Sequence, residues 1–518
     1  MKLVELITGT DIKCILSDPA ERDAVLSTEI AGIASDSRQV KDGYLFVCIR
    51  GLHTDGHKYI EKALENGAVS VLTEEECLET DKIKSEVIYL TSANTRRALS
   101  FLFNTWYGRP ADGMKLIAVT GTNGKTSVTF MLREIFRAAL VKTGLVGTVV
   151  CYSDERKLSI RSENENANMT TPDPKELYKI LSVMKNDGVE VVLIEATSHA
   201  LALDKLAPLR FASAIFTNLS PDHLDFHGDM KSYLDAKKKL FTMADSAIIN
   251  ADDASHTEIA ETAEKSGCGN IRLCTVREDR HADYAALNVR SLGTSGVEYI
   301  LSSVSHIFKV SSPIPGRFTV INTLEAAACA LEEGISPQNV QDALRHMRGI
   351  DGRFERVKLC TGADFSVFID YAHTPDALEN LLLTVRGFRK KGERIVLLFG
   401  CGGDRDRSKR PVMGRIASSL ADFVIVTSDN SRSEDPQNII SDIMSGFDYS
   451  KAGSVAIENR AEAIDYAVKN ALESDIILLA GKGHEAYEID KNGKHPFDEK
   501  EIVREAARKY YYYRRHDE

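Results

Sequence analysis

Short apolar runs, each ending in a polar or glycine-rich cluster, recur along the second and third parts of the chain. "MKLIAVT", "VEVVLIEA", "ASAIFTNL" and "SAIIN" read as strands buried on both faces, since the run is continuous rather than alternating. Between them lie segments such as "TSVTFMLREIFRAAL", with apolar residues at helical spacing. A second series follows: "FSVFIDY", "RIVLLFG", "DFVIVTSD" and "DIILLAG", again separated by helical stretches. Strands alternating with helices predict an α/β fold with mostly parallel sheets wrapped by helices. The first part differs, mixing the shorter strands "GYLFVCI" and "AVSVLT" with the helical "HKYIEKALENG". It closes at "WYGRPADG", where Gly108, Pro110 and Gly113 suggest a linker.

Three domains are expected: residues 1–110, a central P-loop domain with a mostly parallel sheet over 111–345, and a C-terminal Rossmann-like domain over 346–518. A chain of 518 residues needs more than one core. The segment around 260–310 and the tail "RKYYYYRRHDE" carry no pattern that assigns them a role.

Hydrophobic residues make up 43% and charged residues 27%, ordinary for a soluble globular protein. The net charge of −11 argues against a general nucleic-acid or membrane-surface binder, both of which need a basic face. It leaves room for local sites that hold small anions. There is no signal-peptide pattern at the N-terminus, and no stretch approaches the ~18 apolar residues of a membrane span. Nine cysteines without metal-type spacing fit reduced thiols and a cytoplasmic location.

The sharpest local signal is "VTGTNGKTS". A strand runs into Gly121, Thr122, Asn123 and Gly124, then into a helix opening with Lys125, Thr126 and Ser127. Glycines let backbone N–H groups turn toward an anion, and the helix presents its positive end. Lys125 can reach β- and γ-phosphate oxygens, and the Thr126 hydroxyl can ligate Mg²⁺. Val119 occupies the place of the first glycine of the common P-loop pattern, so the loop is a variant. A glycine turn opening a helix is by itself usually structural; the ordered strand, Gly-Lys-Thr and helix make it a nucleotide site.

Two further strands end in carboxylate plus histidine. "LIEATSHAL" brings out Glu195 and His199, and "IFTNLSPDHLDFHG" brings out Asn218, Asp222, His223, Asp225 and His227. Open α/β sheets place ligands at these strand ends, and phosphoryl transfer needs a divalent cation to spread developing charge. Any one of these histidines would ordinarily be a hydrogen-bonded structural residue; the repeated pairing makes the cluster a metal site.

With these residues in place, the chain resembles the Mur ligase family. "TGTNGKTS", "TTPDP", "EATSHAL", "TNLSPDHLDFHGDM", "GRFE", "DYAHTPDAL", "GCGGDRDRSKRP", "DNSRSEDP" and "GKGHE" occur in the family's order, over nearly the whole chain. The resemblance implies ATP-dependent amide synthesis through an acyl phosphate, in the branch that adds the third amino acid to UDP-N-acetylmuramoyl-L-alanyl-D-glutamate. The first domain would grip the UDP end through "ASDSRQV", with Ser35 and Ser37, and through "GLHTDGHKY". Thr170, Thr171 and Ser198 match positions that contact this substrate. Lys205 stands where the family has an arginine for the substrate's anionic groups, and Met169 replaces an asparagine. Thr126, Glu195 and His223 would hold Mg²⁺, with Lys237, in "SYLDAKKKLF", as a carbamylated lysine (N6-carboxylysine). Lys125, Glu195, His223 and Lys237 are the implied catalytic set. Asn322, Arg353 and Asp370 match ATP-contacting positions. The expected partners are the UDP-linked muramoyl dipeptide and a diamino acid, with no nucleic acid and no membrane span, acting on a monomer.

The family divides over the amino acid added. Meso-diaminopimelate is lysine with a second carboxylate at its far end, and an arginine can fork onto that group through two charge-assisted hydrogen bonds. In "SDNSRSEDP" Arg432 occupies the position of the recognition arginine, beside Asp429 and Asn430, while Ser431 replaces a proline. Arg405, Gly481 and Glu485 match the other positions holding this amino acid. Meso-diaminopimelate is therefore the expected co-substrate, with L-lysine the alternative. Folylpolyglutamate synthases share the phosphate loop but lack the first-domain "SDSR" and "DGHKY" elements. The D-alanyl-D-alanine-adding ligase fits "DHLDFHG" and "DNSRSEDP" poorly. A P-loop motor or a non-catalytic regulator would release phosphate without regard to either co-substrate, or not at all.

Overall fold

The computed structural model describes residues 1–15, 19–51, 54–74, 86–158, 169–347, 349–359 and 362–511. Leu52 and His53 of "GLHTDGHKY" and residues 512–518 of the tyrosine-rich tail lie outside them. The chain divides into two compact units. The first comprises Met1–Thr129, Leu140–Ile249 and Asp253–Ile271; the second comprises Phe130–Ala139, Asn250–Asp252 and Arg272–Glu518.

The first unit carries an N-terminal five-stranded sheet in the order Lys13–Ile15, Ile88–Ser92, Ala68–Glu74, Tyr44–Val47 and Gly32–Ala34. Its strands are parallel except for the first, which pairs antiparallel with Ile88–Ser92. A second set of strands runs Ala244–Asn250, Phe211–Phe216, Lys115–Thr120, Val191–Glu195 and Thr143–Val146, all parallel. The strand Lys115–Thr120 is apolar from Leu116 to Val119 and buried past its first residue, as the sequence pattern requires. Chain order reverses around it, because the next two strands lie on one side and the following two on the other. Open sheets bind ligands at such a switch point, beyond the carboxyl ends of the strands. Register makes the point concrete: Glu195 lies opposite Val119, and Phe216 opposite Thr120. The loops after Thr120, Glu195 and Phe216 therefore leave the sheet at one edge.

In the second unit the segment that lacked a sequence pattern forms an antiparallel meander of Tyr284–Ser291, Val297–Ser303 and Ile307–Ser312. A six-stranded sheet follows, in the order Glu355–Arg356, Ser366–Asp370, Ile476–Ala480, Ile395–Phe399, Phe423–Val426 and Gly453–Ala456. It is parallel except for its first strand. Successive side chains point to opposite faces. Phe368, Leu397, Phe399 and Leu478 pack with the helices Pro375–Phe388, Lys409–Leu420 and Pro436–Met444. Ile369, Leu398, Ile425 and Leu479 pack with Arg460–Lys469 and Glu499–Tyr511. Covering both faces explains why these strands read as unbroken apolar runs, each buried leucine or isoleucine contributing about 1.5–3 kcal/mol. Asp370 lies opposite Ala480, and Ala480 opposite Phe399, which lies opposite Val426. Four strands thus end at one edge, where the loops bearing Tyr371, Arg405, Arg432 and Gly481 begin.

Candidate active site

At the first edge the phosphate loop is held by residues from the neighbouring strand end. Asn218 Oδ1 accepts from Asn123 N at 2.9 Å, its Nδ2 donates to Asn123 O at 3.1 Å, and Thr217 Oγ1 donates to Asn123 O at 2.5 Å. Gly121, at φ +152°, has no room for a side chain, since a methyl group there would collide with Thr217 Oγ1. Lys125 folds back so that Nζ donates to the carbonyls of Gly121 and Thr122, each at 2.9 Å.

Glu195 is fully buried. Its Oε2 accepts from Thr126 Oγ1 at 2.9 Å and Thr148 Oγ1 at 2.8 Å, and Oε1 accepts from Thr148 N at 3.1 Å. Gly147 gives it space, because a methyl group there would collide with Oε1. Among the described residues no cation lies within ion-pair distance of this carboxylate. A buried carboxylate without a counter-charge is costly, and with the Thr126 hydroxyl beside it the pair suits a hard divalent cation. Thr170 and Thr171 join the same network. Thr170 Oγ1 lies within hydrogen-bond distance of Thr148 Oγ1, at 3.0 Å, and Thr171 Oγ1 donates to Glu195 O at 2.6 Å.

His199, His223 and His227 gather nearby. The His199 ring lies 4.8 Å from that of His223 and 5.4 Å from that of His227. Burial, reinforced by these two neighbours, pulls His199 down to about 4, so it is neutral at ordinary pH. His223 takes left-handed backbone at φ +54° and lies 3.4 Å from Asp222. Ser198 Oγ is 2.9 Å from His227 Nε2. Among the described residues no three His, Cys, Asp or Glu side chains form a metal cage by themselves. A cation here would need the Thr126 hydroxyl or a modified lysine as well.

Lys237 is buried, 1% exposed, within the helix Met230–Phe241. Burial, with Lys125 adding like charge, pulls its amine well below the ordinary lysine range. A neutral, nucleophilic amine is what carbamylation by CO₂ requires. Tyr233, one turn earlier, packs its ring 4.4 Å from Lys237 Nζ and sets its hydroxyl 3.1 Å from Thr122 Oγ1. Sequence reasoning passed over Tyr233 because an aromatic at that position reads as apolar helix face. Thr148 had no local signal.

Ser35, Ser37 and Lys205 line one cavity of about 630 Å³, with Arg38, Arg96 and Lys175. These four cations face Asp36 and Asp173, a balance suited to an anionic ligand. Lys205 pairs with Asp173 at 2.8 Å and donates to Met169 Sδ at 3.4 Å. Thr170, Thr171 and Ser198 do not line this cavity; they sit with Glu195 and His227 instead.

The second unit presents its own set. Asn322 is buried in the helix Arg317–Glu332. Arg353 lies 5.0 Å from the Tyr371 ring, and Asp370 accepts from Phe354 N at 2.7 Å and Ala372 N at 2.8 Å. Burial pushes Asp370 above the usual carboxylate range.

The loop from Ser428 to Pro436 buries Asp429 and Asn430. Asp429 pairs with the fully buried Lys482 at 3.2 Å. Asn430 donates to Glu485 Oε2 at 2.8 Å and accepts from Lys482 at 3.1 Å and from Ile489 N at 3.0 Å. Burial raises Glu485 above its ordinary range. Gly481, at φ +116°, lets Asp429 approach: a methyl group there would lie 2.7 Å from Asp429 Oδ2. Arg432 takes left-handed backbone, φ +52°, and donates from Nη1 to Gly403 O at 2.8 Å. A methyl group on Gly402 would lie 3.0 Å from Arg432 Nη1 and 3.8 Å from Arg405 Cγ, so both arginines border this glycine. Lys482, inside "GKGHE", is the residue of this set that sequence reasoning missed. Its lysine was legible, its buried partner was not.

Three family models match in order: the Mur ligase family catalytic domain over residues 29–103, the Mur ligase middle domain over 119–330, and the Mur ligase glutamate ligase domain over 352–483. The chain is 41% identical over 514 residues to the UDP-N-acetylmuramoyl-L-alanyl-D-glutamate–2,6-diaminopimelate ligase of Syntrophomonas wolfei, covering 98% of this chain and 99% of the relative. It is 39% identical over 512 residues to the enzyme of that name in Clostridioides difficile, covering 98% and 100%. A solved structure of a ligase of that name superposes with a TM-score of 0.69 at 30% identity, covering 98% of each chain. A MurF ligase from Thermotoga maritima in complex with ADP shares the fold at 14% identity, with a TM-score of 0.57 and coverage of 93% and 98%. The chain belongs to the Mur ligase family of ATP-dependent, ADP-forming ligases.

Proposed function

We propose that the protein joins meso-diaminopimelate to the D-glutamate of UDP-N-acetylmuramoyl-L-alanyl-D-glutamate in peptidoglycan synthesis, with ATP as the energy source. The substrate carboxylate attacks the γ-phosphorus of ATP, ADP leaves, and an acyl phosphate results. The amino acid's ammonium gives up a proton, its nitrogen attacks the acyl carbon, and phosphate departs. Positioning and charge neutralisation carry such a reaction.

The phosphate loop and Lys125 would cradle the β- and γ-phosphates, with Asn123 fixed for that purpose by Thr217 and Asn218. Thr126, Glu195, His223 and carbamylated Lys237 would hold Mg²⁺, which when bound neutralises phosphate charge. Asn322, Arg353 and Asp370 would contact ATP. Ser35, Ser37 and Lys205, lining the cationic cavity, would receive the UDP end, and Thr170, Thr171 and Ser198 the peptide end. The domains would be 1–110, 111–345 and 346–518. Among the described residues no helix is long and apolar enough to cross a membrane.

Arg432 carries the choice of amino acid. With Arg405 it borders Gly402, and among the described residues neither guanidinium has a carboxylate oxygen within 4.0 Å. Two such arginines favour an incoming carboxylate and disfavour the bare ammonium of lysine. The test is phosphate release with meso-diaminopimelate, L-lysine and L-ornithine, each with ATP and the UDP-linked dipeptide. Arg432→Ala should cut kcat/KM for meso-diaminopimelate at least a hundredfold and leave KM for ATP and for the UDP substrate within about twofold. Turnover of L-lysine with none of meso-diaminopimelate would overturn the assignment.

A further inference from the structure

Four arginines lie near this strand edge: Arg405 and Arg407 on the loop after the strand Ile395–Phe399, Arg410 in the helix Lys409–Leu420 that follows it, and Arg432 on the loop after Phe423–Val426. One carboxylate sorts them. Glu434 Oε1 accepts from Arg410 Nη2 at 2.9 Å and from Asp404 N at 2.6 Å. Its Oε2 accepts from Arg407 Nη2 at 2.7 Å and Arg410 Nη1 at 3.1 Å. Arg410 is fully buried and reaches onward to Gly402 O at 3.3 Å and Asp442 Oδ2 at 2.9 Å.

These bonds fasten one loop to the other. Gly403 N donates to Asn430 O at 2.9 Å, and Ser433 donates to Asp404 from both N and Oγ. The approach is so close that a methyl group on Gly403 would collide with Ser431 O. Arg432 lies within this zipper, its guanidinium on Gly403 O. Arg407 and Arg410 both pair with Glu434, and Arg410 with Asp442 as well; among the described residues Arg405 and Arg432 have no carboxylate partner.

We propose that Glu434 is a positioning residue for diamino-acid selectivity: it takes up Arg407 and Arg410, locks the two loops in register, and so holds Arg405 and Arg432 together for a distal carboxylate. This rests on the reading of Arg432 given above. Glu434 touches no reacting atom; it acts through the arginines. The register it fixes also substitutes for the conformational restraint that a proline at Ser431 would supply.

The experiment uses the full-length protein and separates KM from kcat. Glu434→Ala should raise KM for meso-diaminopimelate tenfold or more, narrow its kcat/KM advantage over L-lysine by a similar factor, and leave KM for ATP and the UDP substrate within twofold. Asp442→Ala removes the other carboxylate on Arg410 without touching the loops, so it should lower thermal stability and leave KM for meso-diaminopimelate unchanged. If Glu434→Ala and Asp442→Ala lower stability alike and neither moves that KM, Glu434 is only structural and the proposal fails. Arg432→Ala distinguishes the levels. Loss of meso-diaminopimelate use there, with an unmoved KM in Glu434→Ala, overturns the positioning role alone. Unimpaired use in Arg432→Ala overturns the underlying reading and the proposal with it.

Discussion

Lys237 Nζ lies 4.4 Å from the centroid of the Tyr233 ring, and the hydroxyl of that ring is 3.1 Å from Thr122 on the phosphate loop. Two effects oppose each other at this lysine. An aromatic face favours the ammonium by about 0.5–2 kcal/mol, whereas burial favours the neutral amine. Burial wins, since the amine lies well below its ordinary range. Tyr233 serves as a wall that keeps the amine dry, and as a strut between the phosphate loop and the helix bearing Lys237.

The two roles separate by substitution. Tyr233→Phe keeps the wall and removes one hydrogen bond to Thr122, worth about 0.5–1.5 kcal/mol. A several-fold rise in KM for ATP is expected, with bicarbonate dependence unchanged. Tyr233→Ala opens Lys237 to water, returns its amine toward the ordinary range, and should make activity depend on added bicarbonate. A ¹³C-bicarbonate NMR signal of a carbamate should be strong in the wild type and in Tyr233→Phe, and weak in Tyr233→Ala. Full bicarbonate-independent activity in Tyr233→Ala would refute the wall.

What the sequence made legible follows from locality. Thr120, Glu195 and Asp370 each end an apolar run, and a buried strand must surface there, so their placement at sheet edges could be read from the chain. The partners that tune them come from elsewhere. Thr148 reaches Glu195 across 47 residues, and Lys482 reaches Asn430 across 52. Neither distance leaves a periodic trace. The meander over 284–312 went unread because its outer positions include Leu287, Val289, Val304 and Ile307, exposed apolar residues that blur the alternation of a half-buried strand. In "SDNSRSEDP" the abundance of acids was visible, but their duties were not: Asp429 faces Lys482, and Glu434 faces Arg407 and Arg410.

Arg460 and Glu499 form an ion pair at 2.8 Å with side chains 0% and 3% exposed. Arg460 also donates to Ser428 O at 3.3 Å and Ala480 O at 2.9 Å, the carbonyls from which the loops bearing Asp429 and Gly481 depart. Arg460→Met leaves a buried carboxylate without its cation and should cost about 3–5 kcal/mol in urea unfolding. The double variant Arg460→Met/Glu499→Leu removes both charges and should recover most of that loss. KM for the amino acid should stay raised in the double variant, because the two carbonyl tethers are still missing. Recovery of both stability and KM would show that Arg460 supports the core and not the loops.

Glu434 gives the fold an acid-sensitive joint whose sign can be worked out. Hydrogen bonds from Arg410 lower its carboxyl most, and the Asp404 amide and Arg407 add to this against a smaller desolvation penalty, bringing it to about 2 from an ordinary 4.5. An unfolded chain therefore takes up the proton first as pH falls. Stability from this group is fully present above about pH 4.5 and is lost progressively toward about pH 2. Glu434→Gln has no such titration and lacks the charge-assisted bonds at every pH. Its melting temperature should lie below the wild type's near neutral pH, and the gap should shrink as pH is lowered through about 4 toward about 3. Differential scanning calorimetry of the two proteins side by side cancels the other carboxylates, which titrate in both. A gap that stayed constant across that range would mean that the two arginines do not depress Glu434, and that the loops are held by their backbone contacts alone.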